Sequence, residues 1–296
     1  MTVTEPATRA YYTQPDVMTT PGRHAKRFTS LPDDVAALAA VAQGLIVHEA
    51  WAGAYGRTLS DDDRATTHIR RVEDLLEHIV ARDDRPLTVA REAAHRLVGN
   101  CRTYSVLMVA MLRCQGIPAR ARCGFGMYFR EGFGEDHWVC EYWDAAAGRW
   151  ALVDAQIDAL QREYLKIDFN LVDVPRDRFL VAGDAWRRCR AGQADPDRFG
   201  LSAINESGAW WVAGNLMRDA AALTNRELLP WDTWGAMPGV YEAIDDERSA
   251  LFDRLATLTM HPDESWAELR TMLRDDPRLA VPPQVHNELR GRDEPV

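Results

Sequence analysis

A cysteine stands at the start of a predicted helix in the stretch GNCRTYSVLMVAMLRCQGIPAR, residues 99–120. The apolar residues after Cys101 recur at the spacing of one helix face: Tyr104, Leu107, Met108, Met111 and Leu112. Pro118 ends the pattern, because proline cannot continue the backbone hydrogen-bond ladder. Cys101 is therefore predicted in the first turn, where unpaired N–H groups and the helix dipole stabilise negative charge. Such a site lowers a thiol pKa from about 8.5 and favours a nucleophilic thiolate.

A base and a group to orient it are supplied by DHWVCEYWDAAAGRWALVDAQID, residues 136–158. Two alternating segments with a short connection predict an antiparallel hairpin. A turn centred between Ala145 and Ala146 places His137 directly opposite Asp154, with Cβ atoms about 4.5–5.5 Å apart. A carboxylate there accepts from the imidazole N–H and sets its tautomer. With the cysteine, the two residues have the types required for a nucleophile, its base and the orienting group.

The elements that must position these residues are helices, then strands, then helices. Three helices are predicted before the cysteine: 33–50, 69–82 and 87–98. Three strands follow it: 119–129, 136–143 and 149–155. After a loop at 195–208, the clearest later helices are 207–223, 244–259 and 263–275. This order predicts an α+β fold.

The chain is predicted to divide into an N-terminal arm at 1–30, a catalytic core at 31–165 and a mainly helical extension at 166–296 that packs on the core. The tryptophan-rich stretch 208–239 is interpreted either as a cap that shapes a substrate cleft or as ordinary helical packing. The first 30 residues lack the apolar core of a signal peptide, and no run of about 18 apolar residues occurs. We expect a cytoplasmic protein without a membrane partner.

Composition narrows the function classes. A formal net charge of −10 argues against a nucleic-acid-binding protein. Five cysteines without a CxxC pair argue against a disulfide framework or a zinc cluster. Residues 91–130 nevertheless hold seven arginines and a single acid, Glu92. Either these arginines pair with acids elsewhere in the chain, or they create a positive field that favours the thiolate or receives an anionic substrate.

Together these motifs resemble the transglutaminase-like superfamily over roughly residues 65–160. The shared pattern is a cysteine that opens a helix, a GIPAR exit into a strand, a histidine followed by an aromatic residue, and Trp-x-x-Val-Asp on the next strand. The resemblance implies that Cys101 is the nucleophile, His137 the base and Asp154 the orienting group. It also implies a papain-like core, in which the nucleophile helix packs on an antiparallel sheet.

The chain departs from the family pattern just after the aspartate. The family usually has Pro and Thr or Ser there, whereas this chain has Ala155 and Gln156, which leaves the turn unconstrained but keeps the three catalytic positions. Some relatives use calcium, but SDDDR at 60–64 lacks the glycine and the terminal glutamate of a calcium loop. We therefore expect no metal and no cofactor.

The chemistry that these residues predict is acyl transfer through a thioester on the cysteine. The developing oxyanion requires donors. The backbone N–H of Cys101 is the natural first donor, and the candidates for the second are Asn100, Trp51 and His48. The residues that could wall a substrate cleft are Arg102, Trp138, Tyr142, Trp143, Trp150 and Tyr128.

Three functions remain open. The leading prediction is an acyltransferase that takes an acyl group from a small-molecule, peptide or carrier-bound amide or thioester and passes it to an amine. The second is a cysteine protease or amidase, in which water accepts the acyl group. The third is a catalytically silent binding module that keeps the fold. The sequence does not decide the donor, the acceptor or the oligomeric state.

Overall fold

The computed structural model describes residues 5–296, and it describes side-chain surroundings from Ala7 onward. Within this range the α-helices are α1 Glu5–Thr13, α2 Val35–Leu45, α3 Asp61–Ala65, α4 Val72–Arg82, α5 Cys101–Cys114, α6 Ala159–Leu165, α7 Ala182–Arg190, α8 Ala209–Leu223, α9 Asp246–Met260 and α10 Trp266–Asp275. The strands are β1 Ile46–His48, β2 Leu97–Gly99, β3 Ala119–Arg130, β4 Phe133–Asp144, β5 Arg149–Val153, β6 Phe179–Val181, β7 Phe199–Leu201, β8 Glu206–Ser207, β9 Asp232–Thr233, β10 Gln284–Asn287 and β11 Arg292–Pro295. Short 3-10 helices lie at Gly22–Ser30, Glu49–Tyr55, Thr66–His68, Ala93–His95, Pro196–Arg198 and Ser202–Ile204. The predicted α+β class is confirmed.

The chain forms two compact units that are interleaved in sequence. The N-terminal unit comprises Arg9–Ala121 and Val139–Val174. The C-terminal unit comprises residues 5–8, Arg122–Trp138 and Pro175–Val296. In the part of the chain that the structure describes, no helix combines the length and the apolar character needed to span a membrane.

Helix α5 lies at the centre of the N-terminal unit. Every residue from Cys101 to Arg113 is buried, and the helix packs on α2, α4 and β2. Strands β1 and β2 form a parallel pair in which His48 lies opposite Gly99. A Cβ atom on Gly99 would lie 2.8 Å from the Thr103 side chain, so the absence of a side chain lets β2 run directly into the first turn of α5.

Two of the three predicted early helices exist, and the third does not. Helix α2 is capped by Asp34, which accepts from the Ala37 N–H, and it ends at Leu45 where β1 begins. Residues 87–98 form a loop, a 3-10 turn and β2 instead of a helix. Arginine side chains from outside the segment bind its carbonyls: Arg57 donates to Ala93 and Arg96, and Arg82 also donates to Arg96. These carbonyls are therefore satisfied without a helix.

The stretch predicted to be an irregular arm contains regular structure. Helix α1 and a 3-10 helix lie within it, and Tyr12 and Met18 are fully buried. The Tyr12 ring meets Trp150 edge to face, with the ring centroids 5.8 Å apart. Residues 1–4 of the predicted arm lie outside the described residues.

The hairpin of β4 and β5 has a different register from the predicted one. Trp143 lies opposite Trp150 and Cys140 opposite Val153, so the turn is centred between Ala146 and Ala147. The Asp144 carboxylate accepts the N–H groups of both these alanines, at 2.9 and 3.0 Å. This side-chain-capped turn is centred one residue later than predicted, which moves every partner by two positions.

The strand order of the largest sheet is β6-β3-β4-β7-β8, and β5 pairs with β4 outside this path. β7 runs parallel to β4, and β8 pairs with β7, so part of the predicted loop at 195–208 is strand. A Cβ atom on Gly200 would lie 2.1 Å from the Glu206 carbonyl oxygen, and this close approach requires glycine. The three predicted late helices are confirmed as α8, α9 and α10. A small sheet of order β11-β10-β9 was not predicted.

Candidate active site

Cys101 is the first residue of α5, as predicted. Asn100 caps the helix, because its Oδ1 accepts the Thr103 N–H at 3.1 Å while Thr103 Oγ1 accepts the Asn100 N–H at 3.1 Å. The cysteine is 7% exposed. The capping box therefore holds the cysteine at the positive end of the helix dipole, in a largely buried position.

The three candidates for the second oxyanion donor have different surroundings. Asn100 serves as the helix cap, and its Nδ2 also donates to the Thr67 carbonyl at 3.3 Å. Trp51 is half-buried and meets Tyr164 edge to face, with centroids 5.3 Å apart. His48 Nδ1 accepts the Ala50 N–H at 3.1 Å, which places the proton of a neutral ring on Nε2. The oxyanion role stays a prediction for all three residues.

Asp154 follows β5 directly and is 1% exposed. Its Oδ1 accepts the Gln156 N–H at 2.9 Å, and its own N–H donates to the Leu171 carbonyl. Burial is the main cause that raises the pKa of Tyr104 well above its usual value, and the charge of Asp154 adds to that rise. Tyr104 lies one turn after Cys101 on α5.

The prediction that His137 lies directly opposite Asp154 is wrong. The ladder between β4 and β5 ends at the pair Cys140 and Val153, one residue before Asp154. A shift of two residues preserves the face of a strand, because side chains alternate with a period of two. Strand β4 accordingly carries His137 on the same face as Glu141.

His137 lies on β4 in the C-terminal unit and is 2% exposed. Three aromatic rings surround its imidazole edge-on: Phe129, Tyr128 and Phe179, with centroids at 4.8, 6.0 and 6.2 Å. Sequence reasoning missed Phe129 and Phe179. Glu131 and Gly132, with a φ of 69° at the glycine, form the two-residue link from β3 to β4. That hairpin signal could have placed Phe129 near the histidine.

Arg102, a candidate for the substrate cleft, is buried on helix α5. Its side chain is completely buried, and its guanidinium donates to the carbonyls of Ile69 at 3.3 Å and Arg70 at 2.7 Å. These bonds tie α5 to the segment before α4. The placement gives Arg102 a structural role, and its role in lining a substrate cleft stays a prediction.

The aromatic residues near the end of β4 belong to the packing of the hairpin. Trp143 lies about 20 Å along the strand from His137, at roughly 3.3–3.4 Å per residue. It meets Trp150 edge to face at 5.8 Å. Tyr142 donates to the Val172 carbonyl at 3.0 Å, and burial raises its pKa to about 12. Tyr142 and Trp143 therefore take part in the packing of the hairpin, while Trp138 is fully buried next to His137. A role in lining a substrate cleft stays a prediction for all three residues.

The interpretation that the arginine-rich segment pairs with acids is confirmed for three of its members. The ion pairs join Arg91 to Asp83 at 3.7 Å, Arg120 to Glu141 at 2.6 Å and Arg122 to Asp219 at 2.9 Å. All three arginines are buried. Within residues 5–296, no group of three or more His, Cys, Asp or Glu side chains is arranged to hold a metal ion.

Residues 54–155 match the family model described as the transglutaminase-like superfamily, which confirms the resemblance seen in the motifs. The matched segment contains Cys101, His137 and Asp154 and supports a cysteine-dependent enzyme as the general class. A similar solved structure is described as a "putative cysteine protease" from Cytophaga hutchinsonii, at 15% identity and a TM-score of 0.34. The alignment covers 58% of this chain and 45% of that one, and a likeness at this level carries no argument about activity. No curated protein matches the chain.

Proposed function

We propose that this chain is a thiol-dependent acyl-transfer enzyme with Cys101 as nucleophile, His137 as base and Asp154 as orienting group. The observation that carries the proposal is the placement of Cys101 at the capped start of a buried helix, within a segment of transglutaminase-like sequence. A thiolate at that position is stabilised by the helix dipole and the unpaired N–H groups of the first turn.

The proposed reaction has two steps. The Cys101 sulfur forms a bond to the acyl carbon of an amide or thioester, and the bond from that carbon to the leaving group breaks. A leaving amine takes its proton from the His137 imidazolium. An acceptor amine then attacks the thioester, gives a proton to the imidazole and releases the thiolate. Asp154 orients the imidazole and stabilises its charged form.

Burial favours an amine over water as the acceptor. The three side chains are at most 7% exposed, and exclusion of water protects a thioester from hydrolysis. The register also supports the orienting role, since Glu141 shares a face with His137 and lies opposite Leu152, two residues before Asp154.

The proposal is tested by intact-mass analysis of the protein incubated with a panel of acyl donors, followed by product analysis with and without an added amine. We expect an adduct on Cys101 and an amide product. Purely hydrolytic products with every amine would favour the cysteine protease or amidase instead.

Cys101→Ala should abolish turnover and leave the circular dichroism spectrum unchanged. The matched control is Cys114→Ala, at the other end of the same helix, where the dipole disfavours a thiolate and partial burial raises the pKa of the thiol. Iodoacetamide should label Cys101 faster than Cys114, although only Cys114 is exposed. Faster labelling of Cys114 would favour the silent binding module.

Asp154→Asn tests the orienting group. An asparagine of the same shape can hold the imidazole in the wrong tautomer, and it lacks the charge that stabilises the imidazolium. We expect kcat to fall with little change in KM. An unchanged kcat would remove Asp154 from the mechanism.

A further inference from the structure

The turn after β5 is held by an extended polar network, although its sequence departs from the family pattern. Gln156 donates its backbone N–H to Asp154 Oδ1 at 2.9 Å. Its side-chain Nε2 donates to Gln161 Oε1 at 3.2 Å, and Gln161 lies on α6. The expectation that this turn is unconstrained is therefore wrong.

The network continues beyond α6. Gln161 Nε2 donates to the Tyr55 hydroxyl at 3.1 Å, and the Tyr55 hydroxyl donates to Asp158 Oδ2 at 2.7 Å. Asp158 Oδ1 in turn accepts the Gln161 N–H at 3.1 Å and so caps α6. The side chain of Gln156 is thereby anchored to two elements that lie far apart in the sequence.

The network is built at a cost to stability. Gln156 is 2% exposed, and its Oε1 is buried without a hydrogen-bond donor. A buried acceptor without a partner destabilises the folded state, and an apolar side chain of similar size would avoid that penalty. An unsatisfied buried group of this kind indicates a role other than stability.

We propose that Gln156 is a positioning residue that holds the Asp154 carboxylate in the orientation required for catalysis. The inference rests on the proposed triad. The backbone of Gln156 binds the carboxylate directly, and its side chain fixes the turn from which that N–H points. Removal of the side chain should loosen Asp154 without removing any of the three proposed catalytic groups.

The test uses Gln156→Met in the full chain, with p-nitrophenyl acetate as acyl donor and methylamine as acceptor. We expect kcat to fall about tenfold, because a loosened carboxylate gives a less well oriented base. KM should stay within about twofold, as expected when ground-state binding is unchanged. The melting temperature should change little, because the substitution removes the unsatisfied Gln156 Oε1 but also removes the donor to Gln161 Oε1.

The pH profile of kcat separates positioning from a general structural defect. When His137 acts as the base on the acyl-enzyme, its protonation sets the acid limb. A loosened carboxylate stabilises the imidazolium less, so the imidazole loses its proton more readily. The acid limb should move to lower pH by about half a unit. Tyr55→Phe, one step further along the network, should move it in the same direction by less.

Gln43→Met is the matched control. Gln43 Nε2 donates to the Ile157 carbonyl at 3.1 Å, so it supports the same loop without touching Asp154 or the network. We expect an unchanged pH profile for this variant. If Gln156→Met keeps the wild-type kcat and acid limb, or if Gln43→Met shifts the limb equally, the inference is overturned. The proposed function would still hold in that case, provided that the wild type turns over the substrate and Cys101→Ala does not.

Discussion

The buried ion pair between Arg122 and Asp219 provides a sharp test of how the C-terminal unit is held together. Arg122 Nε and NH2 donate to the two carboxylate oxygens of Asp219, each at 2.9 Å, and this joins β3 to α8. Asp219 Oδ1 also accepts the Cys123 N–H at 2.9 Å. Both side chains of the pair are almost completely buried.

Asp219→Asn keeps the shape and the acceptor for the Cys123 N–H but leaves the Arg122 guanidinium buried without its counter-charge. Loss of one partner of a buried ion pair typically lowers the free energy of unfolding by about 3–5 kcal/mol. The double variant Arg122→Met with Asp219→Leu removes both charges. Its main defect is the unsatisfied Cys123 N–H, which costs about 1–3 kcal/mol. The single variant should therefore be less stable than the double variant.

The measurement is equilibrium urea unfolding, followed by circular dichroism and by tryptophan fluorescence. Coincident transitions from the two probes are required before the free energies are compared, because the chain contains two compact units. If Asp219→Asn lowers the free energy of unfolding by less than about 1 kcal/mol, the result would contradict the loss expected for a broken buried ion pair. A double variant less stable than the single one would also refute the reasoning.

Two further changes test local electrostatics and the helix cap. Burial raises the pKa of Asp63, but the Ser60 backbone N–H and the Arg57 guanidinium outweigh burial and hold the pKa below its usual value. The charged Asp63 therefore stabilises the fold at pH values above its unfolded pKa, and this stabilisation is lost as pH falls through its folded pKa. The difference in melting temperature between wild type and Asp63→Asn should accordingly narrow below about pH 4. A difference that stays constant from pH 7 to pH 3 would contradict this prediction. Asn100→Ala removes an acceptor for the Thr103 N–H and should lower the free energy of unfolding in urea by about 1–2 kcal/mol, most of it recovered in Asn100→Ser. Equal losses in the two variants would show that the cap is not responsible.

The sequence pattern was sufficient to predict an element where the contacts that stabilise that element are close in the sequence. The start of α5 was predictable because its cap, its apolar spacing and its proline stop all lie within residues 99–120. The strands β3, β4 and β5 were predictable for the same reason, since alternation and turn residues mark them. The order of Cys101, His137 and Asp154 along these elements was enough to find the family resemblance.

Long side chains from distant positions explain the helix that was wrongly predicted at 87–98. Alanines and spaced apolar residues favour a helix there. Arg57 and Arg82 instead bind its carbonyls, and β1 pairs with its last residues. Their sequence separation from the segment hides these partners from any local pattern, so tertiary hydrogen bonds overrode helix propensity.

The register of the hairpin between β4 and β5 was predicted wrongly because of a single side chain in its turn. The Asp144 side chain accepts two N–H groups of the turn, and the turn is centred one residue later than predicted. The observed pairs differ from the predicted ones by two positions, so residues predicted to share a face of the hairpin still share it, while His137 and Asp154 are not a ladder pair. The alternation along the strands was therefore predicted correctly and the register was not.

The support of the candidate site lies in residues that no motif contains. Phe129 and Phe179 flank the imidazole, while Gln161 and Tyr55 anchor the turn that carries Asp154. Catalysis requires geometry held to a fraction of an ångström, and only such supporting contacts can supply it. A proline after the aspartate would restrict the turn by fixing one backbone angle. This chain instead restricts it with Gln156 and a set of non-local hydrogen bonds, so an unusual residue at a motif edge signals a different means of support as readily as a loss of function.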